Sequence, residues 1–259
     1  MKDDKSNPRA QTIIFLGLGG IIAIFIALVQ GKLQLSIPQA FFWNFVLLIL
    51  LSTPAYLLTY RAYQLIGASE VVLFLATGRL WNVVGANLFL HEALTLQKVI
   101  GALIVLIGVI VALYDKKKFT FNKGILLALL AAFLYGMNDI NGFYILKKMD
   151  ALNFLIYADL LPVFALLFIQ PKVVKKLKYY WQKRMATKVI LLSLCDTLGS
   201  LAFILSFQAG GKASVIGPLS ATRVIFTVIL AAIILKERNN ITKKIIGASI
   251  AVIGVILLL

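Results

Sequence analysis

Cysteine and histidine each occur once in these 259 residues, as Cys195 and His91. A lone thiol excludes an internal disulfide, and one histidine with one cysteine leaves no cluster of the kind that holds zinc. Acidic side chains are also scarce: 10 Asp and Glu stand against 26 Lys and Arg, for a formal charge of +16. In a soluble protein that balance would point to nucleic acid. Here the basic residues gather in or beside short connections between apolar runs, where topology and anionic headgroups account for them, so no nucleic-acid partner is expected. No Gly-x-x-x-x-Gly-Lys-Ser/Thr loop occurs, which excludes a nucleotide engine of that kind. Paired carboxylates or histidines in an interfacial loop, which chemistry on a lipid-linked substrate would need, are missing as well. His91-Glu92 comes nearest, but Lys236-Glu237 stands at the matching place later in the chain, which argues for a shared helix-end role. No cofactor, no metal and no enzymatic activity are expected.

What the chain has in excess is apolar length. Hydrophobic residues make up 61% of it, against about 45 to 50% in soluble domains. The fold class that follows is an all-α integral membrane protein. A spanning helix needs about 20 mostly apolar residues, and nine runs qualify: 12–30, 40–60, 67–90, 97–114, 124–146, 151–170, 187–208, 212–235 and 242–259. The polar opening, residues 1–9, leads into an apolar run that continues into others, so a cleaved secretory signal is not expected. The one longer connection, 171–186, is basic and carries Tyr179, Tyr180 and Trp181, which suits a membrane interface. Of the connecting lysines and arginines 19 fall on the side of Met1 and 5, Lys32, Lys98, Lys147, Lys148 and Lys212, on the other. The positive-inside bias then puts the N-terminus in the cytoplasm and, after nine crossings, Leu259 outside. The expected location is the cell membrane, the inner membrane in a bacterium, with the lipid bilayer as solvent.

The chain also repeats itself. Ala68-Ser69, Ala76-Thr77, Glu92, Ile100-Gly101-Ala102 and Ile107-Gly108-Val109-Ile110 recur as Ala213-Ser214, Ala221-Thr222, Glu237, Ile246-Gly247-Ala248 and Ile253-Gly254-Val255-Ile256. The third and fourth spans thus match the eighth and ninth, a shift of five crossings. A copy displaced by an odd number of crossings enters the membrane from the opposite face, which makes the halves inverted repeats, the usual frame of transporters. The expected halves are 1–120 with four spans and 121–259 with five, the span at 124–146 having no counterpart in the first half.

This layout resembles the EamA-type family of the drug/metabolite transporter superfamily: an Ala-Ser opening one helix, a Glu closing it, and a Gly-rich last helix, clearest in residues 66–114 and 211–259. Tyr135-Gly136-Met137-Asn138-Asp139 is similar to the Trp-Gly-x-Asn-Phe element of a family half, departing from it at Tyr135 and Asp139. The resemblance implies ten helices in two inverted halves around a central cavity, moving small metabolites such as amino acids, commonly outward. Against that frame the first helix is missing.

Five ionisable side chains lie well inside the predicted spans: Arg79, Asp139, Asp159, Asp196 and Arg223. Each costs about 2.5 to 3.5 kcal/mol at a helix centre on insertion scales, so each is expected to face the bundle interior or water. Arg79 and Arg223 occupy nearly equivalent places in the two halves, and a planar guanidinium accepts paired oxygens of a carboxylate or phosphate. The competing reading pairs each Arg with an Asp and merely joins helices. Asp139, with Asn138 beside it and Asn141 and Tyr144 near it, suits an ammonium group or a coupling proton; Asp159 and Asp196 are further proton candidates, with structural pairing the competing reading. Tyr60, Trp81, Asn82, Tyr135, Ser220 and Thr222 lie at similar depth and suit a mostly apolar cavity with a few oriented polar groups. The glycine pairs 101/108 and 247/254, seven residues apart, read as helix contact surfaces. Pro54, Pro162 and Pro218 fall within spans, and Gly217-Pro218 is the expected helix break near a site.

The expected function is a secondary transporter, an exporter of a small polar or zwitterionic metabolite, working by alternating access, with a homodimer left open as its assembly. The alternative is a flippase for an anionic lipid or lipid-linked sugar, which the basic 171–188 stretch and two central arginines would suit.

Overall fold

A computed structural model describes residues 7–93, 95–113, 122–214, 216, 220, 223–234 and 240–257, with the side chains at 109, 112–113, 183–184 and 223–225 excepted. Among these residues every regular element is helical. In chain order they are α1 (Pro8–Val29), α2 (Phe42–Leu65), α3 (Ala68–Ala76), α4 (Gly78–Leu90), α5 (Leu96–Leu113), α6 (Lys123–Leu146), α7 (Ala151–Ile169), α8 (Val174–Leu177), α9 (Lys183–Gln208), α10 (Arg223–Ile234) and α11 (Ile241–Leu257), with short 3-10 turns at Gln39–Phe41, Pro171–Val173 and Lys178–Trp181.

Among the described residues six helical segments are long and apolar enough to cross a bilayer: Pro8–Val29, Gln39–Leu65, Ala68–Leu90, Lys123–Leu146, Ala151–Ile169 and Met185–Gln208. They coincide with six of the nine expected spans. Helices α5, α10 and α11 stand where the other three were expected; the described apolar part of α5 is the shorter Leu96–Gly108.

Local chemistry sets several ends. At α1, Asn7 is the N-cap and its side chain accepts from the backbone N–H of Ala10, while Pro8 supplies the first helical residue with its φ already fixed. Asp150 caps α7, accepting from the N–H groups of Leu152 and Asn153. Asn153 also accepts from the Gln34 N–H at 2.8 Å and donates to the Lys32 carbonyl at 3.0 Å, which fastens the segment after α1 to the start of α7. Asp150→Ala is therefore expected to cost about 1 kcal/mol of stability, measured by thermal denaturation in detergent, with Asp150→Asn retaining most of it. Pro54 and Pro162 lie inside α2 and α7, and both helices run on past them.

The expected break at Gly217-Pro218 lies outside the described residues. A break is seen instead in the first half, between α3 and α4. Thr77 donates its N–H to the Phe74 carbonyl and accepts from the Leu80 N–H, both three residues apart, and its hydroxyl donates to the Phe74 carbonyl at 2.6 Å. The turn is thus tightened to a 3-10 step in mid-span, the kind of local irregularity that marks hinges and sites in membrane helices.

The chain divides into two compact units, Met1–Tyr60 with Asn141–Gly210, and Arg61–Ile140 with Gly211–Leu259. Each draws on both sequence halves, and α2 and α6 each pass from one unit into the other. In the first unit α1, α7 and α9 pack together. Ser193 on α9 donates to the Phe15 carbonyl at 3.1 Å, and the Phe143 ring lies tilted against Phe203 and Phe207. Tyr180 from the basic connection is buried, and its hydroxyl meets the backbone of Asn7.

In the second unit α5 and α11 pack backbone against backbone. A Cβ added to Gly108 would lie 2.6 Å from the Gly247 carbonyl oxygen and 2.4 Å from the Ala251 nitrogen. One added to Gly254 would lie 2.7 Å from the Gly101 carbonyl oxygen and 2.6 Å from the Val105 nitrogen. Glycine is therefore needed at both places so that the backbones can touch. Since residue 101 meets 254 and 108 meets 247, the two helices run antiparallel. The contact set also maps onto itself when the two repeat copies are exchanged.

Candidate functional site

The site is built where α4 crosses α6 in the second unit. Two glycines set the crossing: a Cβ on Gly78 would lie 2.6 Å from the Ala132 carbonyl oxygen, and one on Gly136 would lie 2.5 Å from the Trp81 Cβ and 2.6 Å from the Gly78 carbonyl oxygen. One turn further along each helix stand Asn82 and Asp139, and next to Gly78 stands Arg79. The close approach therefore brings a cation, an anion and an amide together without long loops.

Arg79 donates from Nη1 to Asp139 Oδ2 at 2.7 Å, with the two side chains 14% and 23% exposed. Asn82, fully buried, donates from Nδ2 to the same carboxylate oxygen at 3.1 Å. That bond decides which way the amide points, since the reverse assignment would set two oxygens against each other. The Asn82 Oδ1 is consequently turned away and has no hydrogen-bond partner among the described atoms; the same holds for Asn138 Oδ1. Arg79 follows directly on the tightened turn at Thr77, so the charged group sits at a helix break, as in discontinuous transporter helices.

Of the residues singled out from the sequence, the structure brings Arg79, Asp139 and Asn82 together. Asn138 is half-buried beside them in sequence but points off a different face of α6. Trp81 is half-exposed and meets Phe133 edge-on at 4.9 Å. Tyr60 belongs to the first unit, where it is buried against Phe15. Tyr135 and Ser220 are half-buried in the second unit. Thr222 and the Arg223 side chain lie outside the described residues, so the expected pair of guanidinium groups is seen in one copy.

The other intramembrane carboxylates belong to the first unit. Asp159 is buried on α7, and its Oδ2 would be 2.6 Å from a Cβ on Gly19, with Thr197 Oγ1 3.2 Å from that same position. Glycine at 19 thus makes room for the carboxyl, and Asp196, exposed on α9, lies within its electrostatic reach. The polar run of α6 does not converge on one place. Asn141 lies 200° around the helix from Asp139 and pairs with α2: Asn44 Nδ2 donates to Asn141 Oδ1 at 2.8 Å, and Asn141 Nδ2 donates to the Asn44 carbonyl at 2.8 Å. No group of three or more potential metal ligands occurs among the described residues.

Sequence reasoning missed one further cluster. Glu92, past the end of α4, accepts the backbone N–H groups of Ala213 and Ser214 at 3.0 and 3.1 Å. Lys98 donates to Ser214 Oγ at 2.8 Å, and Lys244 donates to Ser69 Oγ at 2.8 Å. The available signal was that Lys98 and Lys244 each stand three residues before the first glycine of a repeat pair. His91 takes the left-handed conformation that ends α4, with φ 57°, in keeping with a helix-end role.

A solved structure titled "Crystal structure of protein" is similar in fold, with a TM-score of 0.73 at 19% identity over 97% of this chain and 88% of the other. Among curated proteins none matches the sequence. The description "EamA-like transporter family" matches twice, over residues 4–114 and 122–259. With two copies of that description covering nearly its whole length, the chain belongs to the EamA-like transporter family and is a multi-pass membrane transporter, not an enzyme.

Proposed function

We propose that the chain exports a small polar or zwitterionic metabolite by alternating access, and that Arg79, Asp139 and Asn82 form part of the surface that binds it. The observation that carries this reading is the opposed pair of charges held at a broken helix inside a membrane span. A zwitterion matches that pair: its carboxylate meets the guanidinium fork and its ammonium meets the carboxylate of Asp139, which the Asn82 amide helps to hold in place. The halves 1–120 and 121–259 act as inverted copies, a reading supported by the antiparallel, self-complementary contact of Gly101 and Gly108 with Gly254 and Gly247. By the repeat, Arg223 stands in the second copy within one residue of the place that Arg79 holds in the first, and Thr222 takes the place of Thr77. With Asp139 engaged by Arg79, the coupling proton falls to Asp159, a buried carboxyl within reach of Asp196 and Thr197. Export is the direction common in the family.

Proteoliposomes containing the full chain, offered a panel of amino acids, organic acids and amines, are expected to show saturable flux for zwitterions. Arg79→Lys keeps the charge but loses the fork, so it should raise KM on the order of tenfold with a smaller change in kcat. Absence of saturable flux across the panel, or an Arg79→Ala variant indistinguishable from the parent, would refute the assignment.

A further inference from the structure

Lys98 and Lys244 occupy equivalent places in the repeat, as do Ser69 and Ser214. The lysine of each copy reaches the serine of the other: Lys98 Nζ to Ser214 Oγ at 2.8 Å, Lys244 Nζ to Ser69 Oγ at 2.8 Å. Both serines are 1% exposed and Lys244 is 5% exposed. Lys98 also donates to the Ala93 carbonyl at 2.9 Å, and Lys244 lies 3.8 Å from Glu70 Oε1. Each contact therefore fastens the first turn of a repeat helix, at 68–70 or at 213–214, to the first turn of the opposite copy's last helix.

The glycine contacts place these fastenings at opposite ends. Residue 101 is level with 254 and 108 with 247, so Lys244 is level with about residue 111 of α5. Thirteen residues of helix separate that level from Lys98, about 20 Å at 1.5 Å per residue. Between the two lies the backbone contact of α5 with α11, which leaves no play for sliding. The pair is thus a fixed spine, with one separate segment tied to it at either end by a lysine. A lysine among apolar helices is costly without its partner, so each tie is either made or replaced by water, which gives it two states.

We propose that Lys98–Ser214 and Lys244–Ser69 are paired latches at the two membrane faces, one of which opens the binding site to its own face while the other stays shut. Glu92, which holds the two N–H groups of Ala213 and Ser214, strengthens the first latch. The inference rests on the alternating-access reading above and adds to it where the alternate openings lie.

The test uses the full chain in membrane vesicles of both orientations, with the exposed native thiol removed as Cys195→Ser. Ala213→Cys and Ala68→Cys, each introduced singly into that background, report each latch through a membrane-impermeant maleimide. Lys98→Met is expected to raise labelling of the 213 reporter about tenfold from its own face, the shift that follows losing one charged hydrogen bond, and to lower labelling of the 68 reporter from the other. Lys244→Met should do the converse. Ser214→Ala, which removes only the acceptor, must act in the same direction as Lys98→Met, so that a folding defect in the lysine variant does not decide the matter. If each variant changes its own reporter alone, or neither, the contacts are static caps and the proposal is overturned. Reciprocal labelling without flux in proteoliposomes would refute the transport reading and leave the latches standing; flux without reciprocity would do the opposite.

Discussion

Asp139→Ala should lower the stability of the protein by about 3 to 5 kcal/mol, because it deprives a guanidinium inside a membrane span of its carboxylate. Arg79→Ala should cost less, since Asn82 still donates to the remaining carboxylate. The double variant Arg79→Ala/Asp139→Ala should regain a large part of the loss, as removal of both charges of a half-buried pair is often close to neutral. A double-mutant cycle read by unfolding in detergent measures this coupling, and additive losses would show that the two groups do not act as a pair. Flux separates the two roles. If the pair only joined helices, the neutral double variant would transport; with the pair at the binding surface, it should be folded and inactive. The exchanged pair, Arg79→Asp with Asp139→Arg, should also fold, and its transport should stay low because the charges then face the substrate in reverse.

The second large effect is expected at the α5–α11 contact. Gly108→Leu would set a Cβ 2.4 Å from the Ala251 nitrogen, 2.6 Å from the Gly247 oxygen and 2.8 Å from the Ala251 Cα. All three are backbone atoms, so no side chain can turn aside and the helices must separate. Overpacking of this kind costs about 3 kcal/mol or more, and in lipid it removes the dispersion contact that holds such helices together. Gly254→Leu should match it, given its 2.6 Å approach to the Val105 nitrogen. Gly17→Leu, with nothing within 4 Å of its added Cβ, is the control and should leave the melting temperature nearly unchanged. A Gly108→Leu melting temperature equal to that of Gly17→Leu would contradict the contact.

Spans were legible because hydropathy over about 20 residues is a strong signal in a bilayer, and the Gly101/Gly108 and Gly247/Gly254 pairs were legible because close helix contact needs small residues at a regular spacing. Partner choice was not. Three intramembrane aspartates competed for Arg79, and what selects Asp139 is the rotation of α6 that Gly78 and Gly136 permit, a property of the crossing and not of either helix alone. Counting Lys98 and Lys244 as connecting charges was silent on their bonds, since a charge near a helix end satisfies the same bias whether it meets a headgroup or a buried serine. Nor did proline predict the break after Ala76. Threonine made it, by turning its own hydroxyl onto the Phe74 carbonyl.

Helix α6 carries Asp139 on one side and Asn141 nearly opposite, each engaged by a different neighbour. Such a shaft is keyed twice: rolling it about its axis would shear the Arg79 pair and the Asn44 pair together. Rotation of α6 about its own axis is thus opposed by two bonds of different chemistry, one ionic and one between amides.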